Sequence, residues 1–374
     1  MPILKIRSKQ GLSSHRNHKK KMNMKVISRI IEQARQSPRT IVLCESDDLR
    51  IVQAALRASQ EGIANIILVG QLAKIIELIN DDNTTNVLDG IAIIDPEYSS
   101  LIDEFSQALL EKRKHKGMSL EAAILEVNKP LCFANLLVDL GYAHGSVAGA
   151  VNNTADVVRS AIHVIGVSPE AKLVSSFFLM IMCQPFHQLK GGMIFSDCGL
   201  VIDPSAEELA GIAIAAAHNA QALLGEEPKV AMLSFSTNGS AKHSSVDKVV
   251  DASNLIKAAM PDLAIDADVQ LDAAIVADIA EKKGPNSKVK GQSNVLIFPN
   301  LEAGNIGYKL AERMAQATAI GPLLQGLAKP ANDLSRGCNA NDIFLVIAVT
   351  VVQSQALDNT SLEQNSQLTP IPER

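Results

Sequence analysis

Tryptophan is absent from this chain, and tyrosine occurs only three times in 374 residues. With aromatics at 3% the interior has to be built from Ala, Val, Ile and Leu, and the stacking platforms that bind single-stranded nucleic acid are not expected. The five cysteines, Cys44, Cys132, Cys183, Cys198 and Cys338, are odd in number, widely scattered and include no Cys-x-x-Cys. That usage argues against a disulfide framework or a zinc site and for reduced thiols in a cytoplasmic setting. Positive charge in excess is missing as well: a net charge of −5 gives the folded part no general basic field for polyanions. No apolar run reaches 18 residues, and Leu173–Cys183 and Ile343–Val352 are too short to span a bilayer. Also lacking are the Gly-x-x-x-x-Gly-Lys-Ser/Thr loop, a Gly-x-Gly-x-x-Gly after the first strand, and His-Glu-x-x-His. The histidines are spread out, and His144, His163, His187, His218 and His243 read as helix-face or loop residues rather than ligands. A nucleic-acid partner, a membrane span, a metal and a bound cofactor are therefore not expected.

What the chain does contain is enough apolar sequence for two cores. Its length exceeds that at which a single core stops growing, and 47% hydrophobic with 20% charged residues is ordinary for a packed protein. Residues 1–25 carry Lys5, Arg7, Lys9, Arg16, Lys19, Lys20, Lys21 and Lys25 with no acidic residue, so residues 1–24 are expected to be a disordered basic extension. Beyond it, short apolar runs alternate with helical patterns. Thr40–Cys44, Ile66–Val69, Ile91–Ile94, Val147–Ala150, Leu173–Ser176, Met193–Ser196, Val230–Phe235, Ala264–Ala267 and Val295–Phe298 read as strands. Helices are expected over 48–60, Ala206–Leu224 and Val246–Ala259. Continuous apolar strands separated by helices predict an α/β fold with a largely parallel sheet, buried on both faces.

Anion-binding chemistry has three candidate locations. Gln325–Cys338 is rich in Gly, Pro and polar residues and reads as a shaped loop, with turns favoured at Asn332 and Asp333. It presents Ser335 and Arg336 side by side, a hydroxyl next to a planar fork of donors that matches phosphate or carboxylate oxygens. Arg113 closes a helix in the basic cluster Glu111–Gly117, where favourable charge at a helix C-terminus is the structural alternative. In Gly145–Arg159 a strand runs through a Gly/Asn/Thr turn into a helix, so that free backbone N–H groups and Arg159 could face one anion. Each of the three, taken singly, is equally readable as structure.

Taken together they carry a resemblance. Gly145–Arg159, Lys172–Met180, Ala231–Ala241, Ile297–Tyr308 and Gln325–Cys338 resemble, in order, segments of the phosphate acetyltransferase family, and the similarity runs from about Met24 to Gln355. The Asn332–Cys338 loop is more similar to the acetyl enzymes than to the phosphate butyryltransferases. The resemblance implies a two-domain isocitrate/isopropylmalate dehydrogenase-like fold with a cleft between the domains. Domain I would cover 25–174 plus 320–355, domain II 175–319, and 356–374 would form a polar tail. It further implies reversible acetyl transfer between acetyl phosphate and coenzyme A, with CoA and phosphate as substrates and a homodimer as the assembly. Arg113, Arg159 and Arg336 then match the arginines for phosphate and CoA, Ser335 the hydrogen-bond donor of the transition state, and Asp342 the general base.

Asp342 sits at the start of an apparent helix, where the dipole weakens a carboxylate as a base, and Asp333 is the competing candidate. Cys44 and Ser46 stand where the family usually shows Pro and Gly, and Gln184–Gly192 also departs from the usual turn. The alternatives are transfer of a longer acyl group, a CoA-binding protein without turnover, a hydroxy-acid dehydrogenase without its dinucleotide fingerprint, and an acyl-enzyme on Cys338 activated by neighbouring Arg336.

Overall fold

The computed structural model describes residues 26–81, 91–182, 191–360 and 369. The basic extension 1–24, Cys183, most of the departing segment 184–192 and most of the tail lie outside them. The first part of the chain runs from a helix over 26–36 (α1) through β1 (Arg39–Leu43), α2 (Leu49–Gln60), β2 (Ala64–Val69), α3 (Leu72–Asp81) and β3 (Ile91–Ile94). It continues with α4 (Ile102–Arg113), α5 (Leu120–Val127), α6 (Pro130–Asp139), β4 (Gly145–Ala148) and α7 (Thr154–Val164). Next come β5 (Ser175–Ile181), β6 (Gly192–Ser196), α8 (Ala206–Leu224), β7 (Lys229–Leu233), α9 (Ser244–Ala259) and β8 (Ala264–Val269). They are followed by α10 (Leu271–Ile275), α11 (Ala277–Lys283), β9 (Val295–Ile297) and α12 (Leu301–Ala315). The chain then closes with β10 (Thr318–Gln325), β11 (Ala331–Asp333) and α13 (Ala340–Thr360).

Two sheets result. One has the order β11-β4-β1-β2-β3 and is parallel throughout. The other has the order β10-β5-β6-β9-β7-β8; its β10–β5 and β5–β6 pairs are antiparallel and the remainder parallel. The expected α/β architecture with mostly parallel strands is the one observed. Strands such as β4 and β6 are buried along their whole length, which is why they read as unbroken apolar or small-residue runs. Helix starts follow local chemistry. Asp48 accepts the Arg50 N–H ahead of α2, and Ser205 with Glu208 forms a capping box ahead of α8, each cap stabilising its helix by about 1 kcal/mol.

The Gln325–Cys338 stretch corrects the sequence reading, because it is not a loop throughout. Gln325 ends β10, Asn332 and Asp333 lie in β11, and all three are buried. Asn332 is not a turn former here because its amide is fully used. It accepts the Leu324 N–H and donates to Thr350 Oγ1 (2.9 Å) and Gln353 Oε1 (2.7 Å). Strand β5 starts two residues later than expected and runs on to Ile181.

Helix α13 is long and apolar enough to cross a bilayer, yet it is a core helix. Ile343, Phe344, Ile347, Ala348, Val351 and Val352 are fully buried. It packs on α2, β1 and β4 of the first sheet and on α8 and β10 of the second, so one apolar cluster joins side chains of both sheets.

Candidate active site

Ser335 and Arg336 leave β11 on a tight turn over a cavity of about 970 Å³, which is also lined by Thr154, Tyr308, Cys338 and Asp342. The turn is closed by the Cys338 N–H donating to the Ser335 carbonyl (2.9 Å) and the Gly337 N–H to Ser335 Oγ (3.3 Å). Arg50, two residues into α2, holds it from behind. Its guanidinium donates to the carbonyls of Arg336 (2.9 Å), Cys338 (2.8 Å) and Ala150 (3.0 Å) while paired with Asp48 (2.7 Å). Arg50 thereby ties the Ser335–Arg336 turn to the β4–α7 loop. Arg336 itself is exposed and forms no ion pair among the described residues, which leaves its guanidinium available to an anion.

Asp342 lies in the cavity wall at the third position of α13. Asn339 Oδ1 accepts its N–H (3.1 Å), and its carboxylate accepts the N–H of Asn339 (3.0 Å). This reciprocal pair is a capping arrangement at the start of α13.

The β4–α7 turn does carry a ring of free-pointing backbone N–H groups, but they are not open to a ligand. Glu45 fills them. Its buried carboxylate accepts the N–H groups of Gly149, Ala150, Val151 and Asn152 and the Asn152 side-chain amide at 2.7–3.1 Å. The expectation of an anion site made by this turn together with Arg159 is corrected accordingly: an internal carboxylate already satisfies the donors.

Arg113 and Arg159 line a different cavity, of about 1120 Å³, together with Lys74, Lys129 and His163. Arg113 is half-buried at the end of α4, whereas Arg159 is 60% exposed and paired with Asp156 one helical turn earlier (2.7 Å). Such an exposed pair contributes little to stability, so Arg159 is free to exchange partners. Burial, with Arg113 and Arg159 adding to it, lowers the pKa of His163. The three arginines are thus distributed over two cavities, whose linings meet at the β4–α7 connection through Asn152 and Thr154. Arg113 and Arg159 share one cavity; Ser335, Arg336 and Asp342 share the other.

Two further groups stand out near Ser335. Asp333 is fully buried, and neither carboxylate oxygen has a hydrogen-bond partner among the described residues. Burial pushes its pKa up to about 6, and the Glu45 charge adds to the rise. The Thr154 hydroxyl and the Leu334 N–H act in the opposite sense, but outside hydrogen-bonding geometry. Cys338 is buried, which raises its thiol pKa; the cation that acts against this is Arg50, not Arg336. A thiol shifted upward is a poorer nucleophile source at neutral pH, which counts against the acyl-cysteine alternative. Cys44, Cys132 and Cys198 are also free and buried, and no metal-binding group of His, Cys, Asp or Glu occurs among the described residues.

Sequence reasoning missed Glu45, Arg50 and Thr154. Arg50 had a visible signal, an Asp-Asp-Leu-Arg run immediately after the first strand; Glu45 had none, because its donors lie about a hundred residues away. The Ser46 hydroxyl donates to the Val69 carbonyl (2.8 Å), which ties the β1–α2 connection to the end of β2.

Two mostly parallel sheets thus carry a Ser-Arg turn over a cavity, an arrangement suited to binding an anion. Residues 25–351 match the model of the phosphate acetyl/butaryl transferase family, and the chain belongs to it. It is 46% identical over 332 residues to a phosphate acetyltransferase of Acetivibrio thermocellus, covering 89% of this chain and 99% of that one. A phosphate acetyltransferase of Paracoccus denitrificans is also 46% identical over 332 residues, covering 89% and 100%. Among solved structures, a phosphotransacetylase from Streptococcus pyogenes superposes with a TM-score of 0.83 at 39% identity, covering 89% of this chain and 98% of that one.

Proposed function

We propose that this protein is a phosphate acetyltransferase, catalysing acetyl-CoA + phosphate = CoA + acetyl phosphate, with coenzyme A as a substrate and not a resident cofactor. The observation that carries the reading is the Ser335–Arg336 turn, anchored by Arg50, with a guanidinium that has no ion pair among the described residues over a cavity of about 970 Å³. In this reading the CoA thiolate attacks the acetyl carbon directly in a ternary complex. Arg336 binds the phosphoryl oxygens and stabilises the charge that phosphate carries as it leaves, and the Ser335 hydroxyl donates to the carbonyl oxygen as negative charge develops on it. Arg113 and Arg159, with Lys74 and Lys129 in the same cavity, suit the phosphates of CoA. Two carboxylates compete for the thiol proton: Asp342, which the family resemblance implies, and Asp333.

The wider proposal is a two-domain isocitrate/isopropylmalate dehydrogenase-like molecule with domain I at 25–174 plus 320–355 and domain II at 175–319, acting in the cytoplasm as a homodimer. Support for the division comes from β11 returning to the first sheet after the second has been built. A single assay tests the activity: CoA with acetyl, propionyl or butyryl phosphate, followed as thioester absorbance. Turnover fastest with acetyl phosphate is expected. A preference for butyryl phosphate would reassign the acyl group, and CoA binding without turnover would overturn the enzyme reading.

A further inference from the structure

The cavity of about 1120 Å³ is built along one face of α7. Asp156, Arg159, Ser160 and His163 all line it, at the i, i+3, i+4, i+7 spacing that gathers side chains into one stripe. His163 therefore follows Arg159 by one turn on the same face. Helix α4 packs on α7, and Lys112 Nζ donates to the Val164 carbonyl (2.8 Å), which pins the end of one helix to the end of the other. Arg113 and His163 are the residues next to that bond, and both line the cavity. The imidazole thus shares one space with a guanidinium from each helix. Neither Arg113 nor His163 has an ion pair among the described residues, and Arg159 has only its exposed pair with Asp156.

Burial, then the charges of Arg113 and Arg159, oppose a proton on His163, while Glu126 of α5 acts in the other sense. Glu126 is itself paired with Lys129 at the start of α6. A phosphate held by both guanidiniums cancels the two charges that oppose protonation and brings negative charge of its own. A ring nitrogen beside it then gains by taking up a proton and donating it to a phosphate oxygen. Resting on the reading that places the CoA phosphates in this cavity, we infer that His163 is a third phosphate contact beside Arg113 and Arg159, neutral in the free protein and protonated when CoA binds. The proton comes from solvent and returns to it when CoA leaves. Affinity for CoA therefore falls as pH rises through the range in which the bound imidazole gives up its proton. The histidine that reads in the sequence as a helix-face residue becomes the group that makes CoA binding depend on pH.

The test is calorimetric titration of the full-length protein with acetyl-CoA in phosphate-free buffers of differing ionisation enthalpy, where no turnover occurs and no thiol titrates. Wild type is expected to take up a fraction of a proton and to bind roughly 10-fold less tightly at about pH 8.5 than at about pH 6.5, the change that a one-unit rise in pKa produces. His163→Gln, a substitution the helix accepts, should lose most of the uptake and most of the slope. His163→Lys, charged throughout this range, should bind more tightly than His163→Gln at the alkaline end and show no slope. In steady state, His163→Gln should raise the KM for CoA by more than it lowers kcat. The phosphates of CoA, which finish titrating near pH 6, are common to every variant and cancel in the comparison. Equal proton uptake in wild type and His163→Gln, or a wild-type slope kept in His163→Lys, would overturn the inference. Acetyl-CoA binding indifferent to both Arg113→Ala and Arg159→Ala would instead refute the placement of CoA in this cavity, a result distinct from either.

Discussion

At the scale of single residues, the decisive contrast is between Arg336 and Arg159. The first has no ion pair among the described residues, so Arg336→Ala should reduce kcat by about 10²-fold or more with the melting temperature nearly unchanged, and Arg336→Lys should rescue poorly because a point charge does not replace a planar fork. Arg159 sits in the other cavity, paired with Asp156. Arg159→Ala is therefore expected to raise the KM for CoA more than it lowers kcat, and steady-state kinetics of the two alanine variants will separate these roles. Cys338→Ala should retain most activity and sequential kinetics, since burial raises this thiol; labelled acetyl trapped on the protein without CoA would refute that. Asp333 also has a stability consequence whose sign can be worked out. Its folded pKa of about 6 lies above the unfolded value near 3.9, so protonation favours the native state: the contribution is complete below about pH 4 and lost as pH rises through 6. Asp333→Asn should therefore be more stable than wild type at pH 7–8, by a margin on the order of 3 kcal/mol that narrows on acidification, as denaturant titrations at several pH values would reveal.

At the scale of elements, the Glu45 carboxylate organises the β4–α7 loop, and Arg50 passes that order to the Ser335–Arg336 turn through the Ala150, Arg336 and Cys338 carbonyls. Removing Glu45 leaves buried backbone donors without an acceptor. Glu45→Ala should cost about 3–5 kcal/mol and increase amide exchange across residues 149–152, with kcat falling as the turn loosens. Exchange unchanged in that loop would show that its conformation does not depend on the carboxylate. Much of this level was legible in the chain itself: Ala206–Leu224 is the observed α8, and Ile91–Ile94 the observed β3, because apolar period and capping residues act locally. The miss at β11 has a clear origin. Asn332 and Asp333 look like turn formers until their surroundings are known, and the partners of Asn332 come from β10 and α13.

For the molecule as a whole, α13 is the shared core element. Its buried side chains contact both sheets, and Phe344 also stacks under the Arg57 guanidinium, 3.7 Å from the ring centre. A core held in common favours one cooperative unfolding event. Phe344→Ala should lower the stability by about 3–5 kcal/mol and shift a single calorimetric transition, whereas two separated transitions, only one of them sensitive to the substitution, would show that the sheets unfold independently.

The sequence by itself determined the α/β class and the strand and helix order over most of the chain, and it offered Arg113, Arg159 and Ser335–Arg336 as candidates for anion chemistry. These follow from periodicity, from capping and from motifs that are contiguous in the chain. Only the tertiary structure decided which of those residues share a cavity, that Glu45 occupies the donors of the β4–α7 turn, and that Asp333 is buried without a hydrogen-bond partner among the described residues. The physical reason is separation. Glu45, Thr154 and Asp333 lie more than a hundred residues apart, and desolvation and hydrogen-bond satisfaction depend on the groups a side chain meets in space, which pattern and composition do not record.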